Sequence, residues 1–335
     1  MYAAQPATIK DIAGRLKVAI STVSRALNDH PRIGLRTKMR VKKLALELNY
    51  EPNLKAICFK NKKTFVIGVI LPSVKEDFFS ESFSGIENVA RENDYTLLFS
   101  QSQDNYEIEL KAVDAMRRQQ IDGLIISLSK QTSNYDHLTS LRHHNIPVVY
   151  FDRVPDFSAN KVYCNIYQGT IELIRWLLSK GYRRIAMING PDALQASKER
   201  LNGYIEAFSK NKLKVDMQLV ETTDLSKKST IEAVNLLMSN KNIPQVIISF
   251  NDYVHMDTAD YLQKNQHKNK IALVSFGNLP ITRYSACPPM ASLEQYPFQQ
   301  GKTAMNMMMD LLNNKSSIPE NFTMVEELAS TLIIH

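Results

Sequence analysis

Apolar residues in the first fifty positions recur at helical spacing. Ile9, Ile12, Ala13 and Leu16 fall at i, i+3, i+4 and i+7, which predicts a two-turn helix with one apolar face. Thr8 and Asp11 have the spacing of a capping box at its start. After a break from Lys17 to Ala19, a second helix is predicted from about Ile20 to Leu27. It would turn Val23, Ala26 and Leu27 inward and Ile20, Ser21, Ser24, Arg25 and Asn28 outward. A third helix, from about Leu35 to Leu48, would bury Val41, Leu44, Ala45 and Leu48 and carry Arg36, Lys38, Arg40, Lys42 and Lys43 on its outer face. Helices shorter than about 12 residues gain too little alone to offset nucleation, so all three are expected to share one small core.

Past residue 65 the pattern changes. Short apolar runs at residues 66–71, 96–100, 123–128 and 148–151 alternate with amphipathic stretches of about ten to fifteen residues, the signature of a parallel sheet covered by helices. A second such series is expected to begin near Tyr163 and to include residues 185–188, 246–250 and 271–276. Two α/β lobes of this kind leave a cleft between them, and ligands bind at the carboxyl ends of such strands.

Composition narrows the class. With 335 residues, 44% hydrophobic and 22% charged, the chain is expected to form two or three globular units. Its longest apolar run, residues 65–71, falls far short of the roughly 20 residues that cross a bilayer, and no apolar leader is visible, so a cytoplasmic protein without a membrane role is expected. The three cysteines, Cys58, Cys164 and Cys287, are widely separated and form no Cys-x-x-Cys pair, so they read as reduced structural thiols. Charge is more telling. Up to Lys63 there are fourteen Lys and Arg against four Asp and Glu, whereas the remainder holds twenty-seven against thirty. All the excess positive charge lies in the helical segment, as a nucleic-acid footprint would.

Catalytic apparatus is not visible. The chain contains no Gly-x-Gly-x-x-Gly, no phosphate-binding Gly-x-x-x-x-Gly-Lys, no Gly-x-Ser-x-Gly and no His-Glu-x-x-His, so neither an enzyme nor a cofactor is expected. His143 and His144 are adjacent, point apart and read as surface residues. Met305, Met307, Met308 and Met309 follow a helical pattern and read as packing, so no metal site is expected. Asp252 has no acid–base partner nearby in sequence and reads as a polar group at the cleft.

The segment TIKDIAGRLKVAISTVSRALN resembles the helix-turn-helix of the LacI/GalR transcription regulators, and LNYEPN resembles the approach to that family's hinge. The likeness continues in order through VIGVILP, FFSESFSGIENVAREN, IDGLIIS, IPVVYFD, GYRRIAMINGP, ERLNGY and SFND. It implies an all-α helix-turn-helix DNA-binding domain over residues 1–51, a hinge helix and linker over 52–64, and a two-lobed, periplasmic-binding-protein-like α/β core over 65–335. It also implies a homodimeric repressor on a palindromic operator in double-stranded DNA, with a small-molecule effector, a carbohydrate or sugar phosphate, in the cleft. The alternatives are a ligand-independent regulator and a two-lobed binding protein with no DNA role. The basic N-terminal segment argues against the latter.

By the resemblance, DNA contacts fall to Thr8, Ala19, Ile20, Ser21, Thr22, Ser24, Arg25 and Asn28, with Asn53, Ala56 and Phe59 in the hinge. Phe59, standing where leucine is usual, would wedge into the minor groove. Effector contacts fall to Phe79, Asp152, Arg200, Asn251 and Gly277. Three departures stand out. Ala19 replaces a common capping serine, forgoing a cap worth about 0.5 to 2 kcal/mol. Gly277 replaces an aspartate that grips effector hydroxyls in the family, and Asn165 and Ile166 stand where Asp-Asn is usual. The chain ends on STLIIH without leucine heptads, so no tetramer-forming tail is expected.

Overall fold

The computed structural model describes residues 7–51, 63–266, 270–314 and 323–335. The chain divides into two compact units, Met1–Thr64 and Phe65–His335.

In the first unit, helices α1 (Ile9–Leu16), α2 (Ile20–Leu27) and α3 (Leu35–Glu47) enclose Ile12, Ala13, Val23, Ala26, Val41 and Ala45. Ile9, Leu16, Leu27, Leu44 and Leu48 pack around that center, half-buried. The periodicity sets each helix's inner face, and the caps set its ends. The Asp11 carboxylate accepts from both the amide (2.8 Å) and the hydroxyl (2.7 Å) of Thr8, which holds its pKa below the usual range. Lys17 closes α1 in the left-handed region at φ 53°. As expected from Ala19, α2 starts without a side-chain cap. Three of the five basic residues on α3 are engaged: Lys42 pairs with Asp29 at 2.6 Å, Lys43 with Glu47 at 4.0 Å, and Lys38 donates to the Asp29 carbonyl at 2.8 Å.

In the second unit, strands β1 (Val66–Leu71), β2 (Thr96–Gln101), β3 (Gly123–Ile126), β4 (Val148–Phe151), β5 (Lys161–Asn165) and β11 (Val325–Ala329) form one sheet in the order β11-β5-β4-β3-β1-β2. The other sheet, β12-β10-β9-β8-β6-β7, contains β6 (Ile185–Asn189), β7 (Val220–Thr222), β8 (Val246–Ser249), β9 (Ala272–Phe276), β10 (Ala291–Glu294) and β12 (Thr331–Ile334). All ladders are parallel except β10 with β12. Sheet one is covered by α4 (Asp77–Glu92), α5 (Tyr106–Arg118), the short α6 (Asp136–Thr139) and, from far along the chain, α11 (Pro297–Asn313). The helices of the other lobe are α7 (Ile166–Ser179), α8 (Gln195–Lys210), α9 (Lys227–Ser239) and α10 (Asp252–Lys264).

One expectation is corrected. Tyr163 does not open the second series: it lies on β5, which pairs with β4 and β11 in the first sheet. The second sheet begins at Ile185, and α7 makes the crossing between lobes. A run such as KVYCN alternates half-buried and buried positions and carries no mark of which sheet it will join.

Among the described residues, the chain passes between lobes at Asn165, near Tyr296 and at Ser330. These crossings are bonded together. Ser330 donates to the Asn165 carbonyl at 2.9 Å, the Asn165 amide meets Glu327, and the Tyr296 hydroxyl donates to Thr331 Oγ1 at 2.9 Å. Helix α11 reaches the first lobe by a very close approach to α4. A Cβ on Gly301 would stand 1.9 Å from the Ser82 carbonyl oxygen, and one on Gly85 would stand 2.1 Å from that of Phe298. Met305, Met307, Met308 and Met309 all lie buried behind this contact in the first-lobe core. Their role is packing, for which flexible thioethers are well suited.

Candidate functional site

Two surfaces hold the residues singled out in the sequence. The first is the outer face of α2. Ile20 is 45% exposed, and Ala19, Ser21, Arg25 and Asn28 beside it are exposed too. Thr22 and Ser24 are half-buried, and Asn28 spends its amide on the Ser24 carbonyl (2.9 Å), leaving its Oδ1 to accept. Thr8 is exposed, but its hydroxyl is engaged by Asp11. The face thus presents an apolar branched side chain, short hydroxyls and one guanidinium with no partner among the described residues. Those are the partners of a thymine methyl, of base-edge acceptors and of guanine. Asn53, Ala56, Phe59 and Cys58 lie outside the described residues.

The second surface is a cleft between the two lobes, enclosing about 730 Å³. Phe79, Asp152, Arg200, Asn251 and Gly277 all line it, although they come from five separate segments. The carboxyl ends of β4, β8 and β9 deliver three of them, because parallel strands point their ends to one side of the sheet.

Arg200, on α8, sits at the center. It is 4% exposed, its guanidinium lies 4.0 Å from the Phe250 ring center and 4.6 Å from that of Phe276, and its Nε and Nη1 have no hydrogen-bond partner among the described residues. Burial pulls its pKa down to about 10, while Asp152 and Glu199 act in the opposite direction. Two aromatic faces hold the fork flat, and its two buried donors have nothing to donate to.

Asp152 follows β4 with φ 57°. Burial pushes its carboxyl up to about 6 against the pull of Arg153 and Arg200, and its one side-chain hydrogen bond among the described residues is a long contact from Ser127 Oγ at 3.5 Å. Asn251 caps α10 by accepting from the Val254 amide at 2.9 Å, which leaves its own amide for the cleft. Phe79 is 2% exposed and belongs to the first-lobe core, so it supplies a wall. Over its ring, at 5.4 Å, lies Arg153, which is paired with Asp104.

Gly277 is explained by its neighbor. Its φ is 126°, and a Cβ there would stand 2.3 Å from Asp252 Oδ2. The Asp252 carboxylate accepts from Ser275 Oγ at 2.6 Å and from the Leu279 amide at 3.0 Å, clamping the β9 loop, and burial pushes its pKa up to about 6. Asp252 therefore holds the loop in a shape that only glycine fits at 277. Asn165 and Ile166, the other departures, do not line the cleft. Asn165 caps α7 by accepting from the Gln168 amide at 2.8 Å, and Ile166 is buried.

Arg153, Phe250, Phe276 and Tyr253 also line the cavity and are not among the residues the family likeness points to. Phe250 and Phe276 were detectable as the last apolar residues of their runs, at the strand ends where clefts form. Tyr253 carried no such signal. Its hydroxyl accepts from the Asp77 amide at 2.9 Å and donates to the Lys75 carbonyl at 3.1 Å, joining α10 of the second lobe to the entry of α4 in the first. Among the described residues, no group of three or more His, Cys, Asp or Glu could hold a metal ion. Cys164 and Cys287 are buried and unbridged, and burial pushes the Cys164 thiol up to about 12. No helix of the described residues is long and apolar enough to cross a membrane.

Both parts of the chain match known families. Residues 8–53 match the bacterial regulatory proteins of the lacI family, and residues 64–330 match the periplasmic binding proteins and sugar binding domain of the LacI family. The HTH-type transcriptional repressor PurR of Vibrio campbellii is 27% identical over 325 residues, covering 96% of this chain and 97% of the relative. The ribose operon repressor of Bacillus subtilis is 27% identical over 314 residues, 92% of this chain and 93% of the relative. In fold, the chain is similar to the Lac repressor dimer bound to operator and an anti-inducer, with a TM-score of 0.82 at 21% identity over 98% of both chains. This chain belongs to the LacI family of bacterial regulatory proteins.

Proposed function

We propose that this protein is a transcriptional repressor that binds a palindromic operator as a homodimer and changes its operator affinity when a small hydroxyl-rich effector fills the cleft. It is read as a cytoplasmic regulator and not an enzyme. Residues 1–51 form the DNA-reading domain, 52–64 the hinge and linker, and 65–335 the effector-binding and dimerization core. The observation that carries this proposal is the pairing, in one chain, of an exposed Ile20–Arg25 face on a basic helical unit with a cleft built around the unpartnered donors of Arg200.

Each α2 would enter the major groove of one half-site, so that the two-fold symmetry of the dimer is mirrored in the DNA. Ile20, Ser21, Arg25 and Asn28 make the base contacts, Thr8, Ala19, Thr22 and Ser24 support them, and Asn53, Ala56 and Phe59 act at the operator center. In the core, Arg200 and Asn251 donate to effector oxygens and Asp152 accepts. The Phe79 wall and the bare Gly277 backbone shape the space. An effector shifts the equilibrium only toward the state it binds more tightly, so closing the lobes on it couples the cleft to the DNA.

Selection of bound duplexes from a random pool by the full chain tests this function. The expected outcome is enrichment of a single palindromic site. Enrichment of no sequence over background would refute the operator-reading role.

A further inference from the structure

We infer that the effector is an uncharged polyhydroxylated molecule and that the cleft rejects its phosphorylated or carboxylated counterpart. This rests on the proposed role of the cleft as the effector site and adds the charge of what it takes.

The walls carry the inference. Six carboxylates line the cavity, those of Glu76, Asp77, Glu81, Asp152, Asp252 and Glu294, against two guanidinium groups and no lysine or histidine among the described residues. Neither guanidinium is an uncompensated charge. Arg153 is paired with Asp104, which stands behind the wall. Arg200 sits in the field of Asp152 and Glu199. An anion entering the cleft would meet net negative charge in a partly dehydrated space, where like charges repel more strongly than in water.

What Arg200 lacks is acceptors for its N–H groups. Nε and Nη1 are buried and unpartnered, and a hydroxyl or ring oxygen can accept from both without bringing a charge. Around that fork stand the complementary groups: the Asp152 carboxylate to accept from a hydroxyl, the remaining amide of Asn251 to donate to one, and the rings of Phe250 and Phe276 as apolar faces. Hydroxyls both donate and accept, so one chemical group satisfies every unpaired atom of this wall. A phosphate would satisfy the donors alone and oppose the carboxylates.

Glu76 and Asp77, where α4 begins, receive no side-chain hydrogen bond from a described residue, so they act through charge and can be neutralized with little structural cost. The full-length protein, wild type and E76Q/D77N, should be titrated calorimetrically with matched pairs: ribose and ribose 5-phosphate, glucose and glucose 6-phosphate, adenosine and its monophosphate. The expected result is that the uncharged member of at least one pair binds, that its phosphorylated partner binds at least about tenfold more weakly, and that the double variant narrows this ratio. The inference is overturned if a phosphorylated member binds as tightly as its partner, if the ratio does not change in a double variant that melts like wild type, or if no uncharged member binds. Arg200→Ala separates the two levels. A phosphorylated compound that binds wild type as tightly as its uncharged partner and loses affinity in Arg200→Ala overturns the charge inference while the cleft remains the effector site. Binding that Arg200→Ala leaves unchanged overturns the cleft assignment itself.

Discussion

The α2 face and the lobe cleft place functional side chains in opposite ways. At α2, the residues proposed to contact bases in the major groove lie within nine consecutive positions, from Ile20 to Asn28, on a helix whose orientation follows from Val23 and Ala26 being buried. In the cleft, Phe79, Asp152, Arg200, Asn251 and Gly277 come from five segments of two lobes, two on helices and three just past strand ends, and meet only because the lobes face each other. The α2 surface is therefore local and exposed, so a substitution there should change recognition and little else. The cleft is global and buried, so a substitution there also changes how the lobes hold together.

Removing Arg200 sharpens that contrast most. Arg200→Ala takes away both buried donors and the stack between Phe250 and Phe276, and effector affinity measured by calorimetry should fall by about 100-fold or more. Operator affinity without effector should stay within about twofold, since α2 is untouched. Arg25→Ala is the mirror experiment. Loss of a bidentate base contact should cost about 1 to 3 kcal/mol on the selected operator while random duplex DNA is bound nearly as before. Equal weakening on both DNAs would mean that α2 does not read sequence.

Gly277→Ala asks whether the cleft floor is shaped by its backbone. The methyl would stand 2.3 Å from Asp252 Oδ2 at φ 126°, so the chain should lose about 1 to 3 kcal/mol of stability, seen as a lower melting temperature, with operator selection unchanged. A smaller effect is expected from Tyr253→Phe. It removes both cross-cleft hydrogen bonds and should change effector affinity by roughly thirtyfold at most, because each neutral bond is worth only about 1 kcal/mol net. An unchanged affinity would show that those bonds do not help hold the lobes.

Smallest is the response to pH. Asp152 and Asp252 are both raised to about 6, so the folded core binds their protons more readily than the unfolded chain does. The stability they contribute is complete below the ordinary aspartate range near 4 and is lost as pH rises through 6. Effector binding should run the other way, weakening below about pH 6 as Asp152 loses its acceptor. In Asp152→Asn that pH dependence of binding should shrink, and calorimetry between pH 5 and 8 reads it.

The tri-helical unit was legible almost residue by residue: α2 begins and ends where the periodicity put it, with Val23 and Ala26 at 0% exposure. So were the inner strands of both sheets, whose apolar runs are continuous because both faces are covered. Tyr163 was misplaced because short alternating strands pair with whatever edge the topology brings, and β11, more than 160 positions later, is what flanks β5. The departure at Gly277 could be seen in the sequence, but its cause could not. Asp252 lies 25 positions away, and its clamp on Ser275 and Leu279 exists only once β8 and β9 are paired.

Local periodicity alone specified the basic helical segment, the exposed face of α2 and the α/β character of the core, since helical and strand periodicities act over a few residues and fix which side chains can share a face. Tertiary structure decided the rest: α11 returning to the first lobe through the Gly85–Gly301 approach, Phe250 and Phe276 closing on the guanidinium of Arg200, and Tyr253 reaching Lys75 and Asp77 across the cleft. Those contacts depend on the order of strands within each sheet. That order is set by the packing free energy of the whole domain, to which no short window of sequence has access.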